Sequence, residues 1–541
     1  MTPKVKSLKS IEEVIKTLLE NRGIKTKKEI EEFLNPDLTN VTPENVGINL
    51  KELKKAVQRI NTAIKDKEQI VVFGDYDADG LCASAILWET LNSSGAKVLP
   101  YIPSREKEGY GISEKAIENL VNKLPETKLI ITVDNGIVAN EIVEDIKKKG
   151  IDVIITDHHL PSKTLPKALA IIHSTKLSGA GVAFLLSKEI EGKESEDHLA
   201  LVAIATIADL VPLTFANRTL VRFGIDSLRK TKRVGLVELI NEAGIELSRI
   251  GTYDIGHIIA PRLNATGRIG DALESLRLIC TKDNKKASLL AQKIERINKE
   301  RQDITLEAML HASEKVKKDN LKDKKLLFIA DESYQQGIIG LIAGRLSEEF
   351  YRPSIVISKG KEFSKASARS VKGFNIIEFI RQASEFLTAS GGHAMAAGFT
   401  VETVNLEKLK EKLEKLSEKL IDIKKLVRVQ RIDCEIPLEL INLEFFKEIK
   451  KLEPFGMNNP MPVFYSSAII ENIRLVGKDG KHLRLSLRTD SGFRIDGIGF
   501  GIGEKYSTLA LGKNADIVYT IDENEWNGEK KLQLKIKNIS S

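Results

Sequence analysis

Apolar and polar positions follow two periods along this chain, and the changes of period divide it. Between residues 51 and 160, short apolar runs alternate with stretches of helical spacing. Residues 70–73, 97–102, 128–133 and 151–156, rich in β-branched side chains, predict strands. Residues 51–65, 83–94, 113–123 and 138–149 predict helices between them. Strands and helices in this alternation imply a parallel sheet covered on both faces. Residues 215–285 read as helical, and 283–318, without Pro or Gly, as one long, largely exposed helix bridging two domains. A second α/β unit follows, with strands at 326–330 and 353–357 and a helix ending near Glu349. From Val427 the period shortens. Strands are predicted at 468–475, 482–487, 493–500, 515–521 and 531–536, with turns at Gly477-Lys478-Asp479-Gly480 and Trp526-Asn527-Gly528. The first 50 residues predict a small cap of short helices, 11–21 and 27–34, closed by Asn35-Pro36.

The strand ends carry the chemistry. The first is followed by Gly74-Asp75-Tyr76-Asp77-Ala78-Asp79-Gly80, three carboxylates at alternate positions. Crowded carboxylates repel, and a divalent cation with a preference for oxygen, Mg²⁺ or Mn²⁺, relieves this most directly. Taken alone, the stretch is equally a solvated helix cap. The strand at 128–133 ends in Asp134-Asn135-Gly136, and that at 151–156 in Asp157-His158-His159. Three strands thus deliver acids and imidazoles to one sheet edge, the edge where open α/β sheets bind ligands, and this favours a metal site. Asp209, in the apolar stretch 199–213, is either a surface residue at a helix end before Pro212 or a further ligand; beside a metal site the ligand reading is preferred.

Composition narrows the class. A chain of 541 residues holds about three domains. Its net charge of +7 permits an anionic partner without requiring one. Three widely spaced cysteines form no zinc or disulfide pattern, which suits a reducing cytoplasm. No signal-peptide core is visible, and the most apolar run is too short to span a bilayer. Five or so strands in about a hundred residues suggest a small barrel of the oligonucleotide-binding (OB) kind, and the positive charge of Lys478, Lys481, His482, Arg484 and Arg488 modestly supports nucleic acid over a bland β-barrel.

Other segments have two readings. Tyr110, in Glu108-Gly109-Tyr110-Gly111 near Arg105, is a packed loop aromatic or a base-stacking platform; its residues alone favour the former. Pro261-Arg262-Leu263-Asn264-Ala265-Thr266-Gly267-Arg268 places an Asn and two Arg on a Gly-broken segment. Ala366-Ser367-Ala368-Arg369-Ser370 and the Gly-dense 390–398 allow close approach of backbone amides to phosphate, or simply a tight turn. His393 alone reads as a core histidine.

Together these motifs resemble, in order, those of the DHH phosphoesterase family: 74–80, Val133-Asp134-Asn135-Gly136, Asp157-His158-His159 and Ala208-Asp209-Leu210-Val211-Pro212-Leu213. Gly391-Gly392-His393-Ala394-Met395-Ala396-Ala397-Gly398 resembles the signature of its DHHA1-type second domain. The 108–111, 261–268 and 452–464 segments are similar to the branch acting as single-strand-specific 5′→3′ DNA exonucleases. The resemblance implies an α/β fold: a DHH-type parallel-sheet domain, a long helix, a DHHA1-type domain and an OB-like barrel, at 51–285, 286–320, 321–422 and 423–541 after the cap at 1–50. It implies two divalent ions, Mn²⁺ or Mg²⁺, on Asp77, Asp79, Asp134, His158 and Asp209, with Asp134 bridging and Asp75 and His159 adjacent or ligating. It assigns Arg105, Tyr110, Asn264, Arg268, Ser367, Arg369, Gly391, Gly392 and His393 to the nucleic acid. The implied partners are single-stranded DNA with a 5′ end, a single-strand-binding protein and a RecQ-like helicase; the implied protein is a cytoplasmic monomer, free of membrane. His173-Ser174, Gln335 and Ala205 depart from the family's usual residues. A DHH enzyme on short oligonucleotides, cyclic dinucleotides or pyrophosphate, a non-catalytic strand-binding factor and a protein-docking scaffold are the alternative functions.

Overall fold

The computed structural model describes residues 5–540 except 106, 110, 319, 423, 425 and 527–528. The first sheet holds β1 (Gln69–Phe73), β2 (Lys97–Tyr101), β3 (Thr127–Val133), β4 (Asp152–Asp157) and β5 (Ala170–His173) in the order β2-β1-β3-β4-β5. Every pairing is parallel. Its apolar runs are sorted by the strand's two-residue period. Ile70, Val72, Leu129, Ile131 and Ile154 enter one core, and Val71, Phe73, Ile130 and Ile155 the other. Both faces are therefore covered, as expected of an all-parallel sheet. The helix after β1 runs Ala78–Ser93, starting five residues before the predicted residue 83. The predicted loop is a cap: Oδ1 of Asp77 accepts from the amides of Asp79 and Gly80, both at 3.0 Å.

The helix Asn284–Lys318 then crosses to the second sheet. Its buried residues, Ala287, Ala291, Ile294, Asn298, Thr305, Met309, Ala312 and Val316, form one stripe. Ala291 and Ile294 belong to the first domain's core, and Met309, Ala312 and Val316 to that of the second. The expectation of a bridge holds, although the helix buries one face along its whole length. The second sheet orders β6 (Leu327–Asp331), β7 (Ser354–Ser358), β8 (Phe363–Arg369), β9 (Leu387–Gly392) and β10 (Ala396–Glu402) as β6-β7-β8-β10-β9.

The C-terminal strands are β11 (Cys434–Glu435), β12 (Phe464–Val476), β13 (His482–Arg488), β14 (Arg494–Gly499), β15 (Asn514–Trp526) and β16 (Glu529–Ser540). The order β12-β13-β14-β16-β15 closes through a β12–β15 pairing, giving the expected small barrel. Residues 527–528 of the second predicted turn lie outside the described residues. The N-terminal helices Ile11–Asn21 and Lys27–Leu34 share this barrel's core: Val14, Leu18 and Phe33 pack with Phe445 and Phe464. Ser7 bridges Glu435 at the β11 edge. Among the described residues no helix is long and apolar enough to cross a membrane.

Candidate metal centre

Four chain segments bring carboxylates and imidazoles to the C-terminal edge of the first sheet. Asp75 and Asp79 are each 1% exposed and Asp134 2%. Asp79 is fixed by a second helix, since its two oxygens accept from the amides of Gly179 (2.8 Å) and Ala180 (2.7 Å) at the start of the helix Gly179–Glu191. That helix start approaches so closely that a Cβ on Gly179 would lie 2.6 Å from the Asp134 carboxyl. Asp134 takes φ +62°, and its amide donates to Thr156 O at 3.0 Å.

Asp157, at the end of β4, is not among the grouped ligand atoms; both of its oxygens are engaged by the neighbouring turn. Oδ2 accepts from Ile137 N (2.9 Å); Oδ1 accepts from His158 N (2.7 Å) and His159 N (3.1 Å) and pairs with His159 Nδ1 (2.8 Å). Burial opposes its ionisation, yet these bonds hold its carboxyl below the usual range. Burial pulls His159 down as well, but the Asp157 hydrogen bond and the charges of Asp157, Asp209 and Asp75 raise it to about 9. Its neighbour His158, buried and repelled by His159, falls to about 4 and stays neutral, the form that ligates metals. His173, one of the departures, supports this loop: Nε2 lies 2.7 Å from the carbonyl oxygen of His159. Asp209 caps the C-terminus of the helix Glu196–Ala208, so it is both the helix end and a member of the cluster.

Three overlapping groups have ligand atoms within 4.8 Å of one another: Asp75, Asp77 and Asp134; Asp134, His158 and His159; Asp79, His158 and Asp209. Asp134 is common to the first two. His158 Nε2 stands 3.1 Å from Asp134 Oδ1, 3.7 Å from Asp79 Oδ2 and 3.6 Å from Asp209 Oδ2. Despite that 3.1 Å approach, Asp134 Oδ1 is buried without a hydrogen-bond partner, so the two atoms face each other as two ligands of one ion would. Burial and mutual repulsion lift Asp75 to about 8 and Asp209 to about 7, and push Asp79 and Asp134 well above the ordinary range. Such a donor set fits hard divalent cations, whose charge reverses that repulsion.

Basic residues from both α/β domains gather beside this cluster: Arg105 near Asp75, Arg268 near Asp77, and Arg369 near both arginines. Arg105 lies over the Tyr76 ring at 5.4 Å. Burial, then the nearby Arg105, lowers Arg369; burial, Arg105 and Arg301 lower Arg268 to about 10. Arg268 Nη1 donates to Gly337 O at 3.2 Å, across the two α/β domains. The contact is tight, since a Cβ on Gly337 would meet Arg268 O at 2.2 Å. Arg369 Nη1 donates to Ser367 Oγ at 3.1 Å, and Arg369 lines a pocket of about 310 Å³ with Arg301 and Arg345. Gly391 aligns with Gly398 and Gly398 with Ser367 in one row across β9, β10 and β8. His393, a core histidine when read alone and a nucleic-acid contact by resemblance, is exposed in the β9–β10 turn, where its amide donates to Ala396 O at 2.7 Å. Asn264 faces the acidic loop, with Oδ1 accepting from Ala78 N at 2.7 Å. Tyr110 lies outside the described residues.

Models of known families match in the same order: the N-terminal domain of the DHH family at 69–208, the DHHA1 domain at 323–423 and the RecJ OB domain at 432–538. The single-stranded-DNA-specific exonuclease RecJ of Bacillus subtilis is 37% identical over 553 residues, covering 99% of this chain and 69% of that protein. The chain belongs to the RecJ family. The RecJ of Thermus thermophilus is 32% identical over 519 residues, covering 94% of this chain and 72% of its own. The crystal structure of Thermus thermophilus RecJ in complex with Mn²⁺ superposes with a TM-score of 0.83 at 29% identity, covering 100% of this chain and 80% of that one. Its complex with Mg²⁺ gives 0.75 at 26% identity, covering 100% and 79%. One RecJ-motif residue was missed as a functional group from sequence, Asp157. It opens Asp157-His158-His159, but sequence alone does not tell a ligand from the residue that holds one.

Proposed function

We propose that the chain is a metal-dependent exonuclease that degrades single-stranded DNA from a 5′ end to 5′-mononucleotides. The observation that carries this is the cluster of Asp75, Asp77, Asp79, Asp134, His158 and Asp209, in which Asp75, Asp79 and Asp134 are buried, with the orphaned Asp134 Oδ1 at its centre and guanidinium groups from both α/β domains beside it. These six residues would hold two ions, Mn²⁺ or Mg²⁺, and Asp134 belongs to two of the three ligand groups. When bound, such ions supply an activated water and neutralise charge on the scissile phosphate.

The chain's own residues do the rest. His159, kept protonated by Asp157, donates to the phosphate or to the departing oxygen. Arg105, Arg268, Ser367 and Arg369 hold the strand and its 5′ phosphate, and Tyr110 stacks on a base. The Gly391–Gly398–Ser367 row leaves room for the strand's backbone, with His393 at its rim and Asn264 holding the acidic loop. The basic barrel takes more of the strand. In this reading the domains run 1–50, 51–285, 286–320, 321–422 and 423–541. The protein works as a cytoplasmic monomer beside a single-strand-binding protein and a RecQ-like helicase.

The test is single-stranded DNA with a 5′ phosphate and a 3′ label. Products shortened from the 5′ end with Mn²⁺, none with EDTA, and a loss of at least about 10³-fold in Asp134→Ala are expected. Hydrolysis confined to dinucleotides or pyrophosphate would replace this reading with a small-substrate phosphoesterase. Tight binding without cleavage in any metal would leave a strand-binding factor.

A further inference from the structure

A second cavity, of about 840 Å³, opens between the N-terminal helices, the segment beyond Asp209 and the turn at 458–459. None of the proposed metal ligands lines it. Its wall includes Pro212, Thr214 and Phe215, a stretch entered and left through positive φ at Leu210 (55°) and Phe215 (45°). Arg218, on the helix Phe215–Leu228, lines the cavity and is 1% exposed. Its guanidinium stacks on Phe33, with Cζ 3.9 Å from the ring centroid.

A guanidinium has five N–H donors. Nη2 of Arg218 donates to the carbonyls of Lys451 (2.9 Å) and Glu453 (2.6 Å). Nε and Nη1 are buried and have no partner among the described residues. Among the described residues no carboxylate pairs with Arg218. The acids of the same cavity are on its rim and engaged locally: Glu29 in the cap of its own helix, Glu32 with Lys28 at 3.7 Å, and Asp37 with the amide of Thr39 at 2.9 Å. Further positive charge gathers instead. Arg22, hydrogen-bonded to Asn459 Oδ1 at 2.7 Å, and Lys176 line the same space. Burial, with Arg222 and Arg22 nearby, lowers Arg218 to about 9, so it remains charged at neutral pH. A buried cation with donors to spare calls for an anion.

We propose that this cavity binds a small phosphate-bearing anion, up to the size of a mononucleotide, through Arg218 with Arg22 and Lys176. Guanidinium groups recognise phosphoryl oxygens through charge-assisted hydrogen bonds, and a phosphoryl group offers more acceptors and more charge than a carboxylate to a site holding three cations. The volume falls within the range of small-molecule sites.

Calorimetric titration of the full chain in EDTA, with pyrophosphate and separately with a deoxynucleoside 5′-monophosphate, tests the proposal. EDTA removes metal-dependent binding at the acidic cluster. Saturable binding of at least one probe is expected, unchanged in Asp134→Ala and weakened about tenfold or more in Arg218→Met. Lys176→Met, at an exposed position, should weaken it about threefold and keeps the test available if Arg218→Met does not fold. Tighter binding of the mononucleotide than of pyrophosphate would mark a nucleotide site, and the reverse a phosphoryl site. No binding of either probe, or wild-type affinity in Arg218→Met or in Lys176→Met, overturns the proposal.

Discussion

Asp157 and Asp134 end neighbouring strands of one sheet, yet they do opposite work. Asp134 leaves an oxygen unsatisfied at the centre of the acidic cluster, whereas Asp157 spends both of its oxygens on Ile137, His158 and His159. Asp157→Asn should therefore spare the metal ligands but release His159 from its partner. Mn²⁺ affinity measured by calorimetry is expected to fall far less than the exonuclease rate, which should drop about 10- to 100-fold. Equal losses in both would mean that Asp157 acts through the metal. The gathering of these acids and imidazoles at one sheet edge was legible because an apolar run ending in Asp or His recurs three times. The division of labour between the two aspartates was not, because it depends on which side chain the following turn aims inward. For His393 the two readings, core histidine from the residue alone and strand contact by resemblance, parted for a similar reason: nothing in its local sequence tells an exposed hairpin turn from a core position.

Two elements carry the framework around that edge. Glu89, on the helix Ala78–Ser93, joins Arg233 (2.7 Å) and His198 (3.2 Å), tying three helical segments of the first domain. Burial opposes its ionisation, but hydrogen bonds from Arg233 and His198 hold it down to about 2. A carboxyl with a lowered folded-state pKa stabilises above its unfolded value and loses that contribution as pH falls. Stability measured by urea unfolding should be intact above pH 4.5 and decline by roughly 3 kcal/mol as pH approaches 2. Glu89→Gln should flatten that slope. The second element is the helix Asn284–Lys318. A single Ala inserted after Asp303 turns everything beyond it by about 100°, so its stripe can no longer serve both cores. Strand cleavage should be lost while Mn²⁺ binding at the first sheet survives. Retained cleavage would show that the two α/β domains need no fixed register. The helix itself was legible from its unbroken, charged run. Its buried face was less so, because Ala, Asn and Thr occupy five of its eight positions and do not read as core.

The whole molecule is closed on itself. The N-terminal helices complete the core of the barrel, the barrel's neighbouring turn accepts the amide of Leu213 at Met457 O (2.8 Å), and Arg268 joins the two α/β domains. Local periodicity gave each domain's elements but could not show that residues 11–34 pack some 400 residues away, since nothing in a short window encodes its partner. Leu18→Asp should accordingly destabilise the barrel. Hydrogen exchange within 434–540 is expected to accelerate, while the first sheet keeps its protection; unchanged exchange in the barrel would refute the shared core. The arrangement also sets an order in time. A ribosome adding about 5–20 residues per second makes Leu18 roughly 20–85 s before it makes Phe445, its eventual neighbour. Throughout synthesis of the two α/β domains the first helix lacks the partner for its apolar face, so the nascent chain carries an unburied hydrophobic stripe N-terminal to those domains until the last domain emerges.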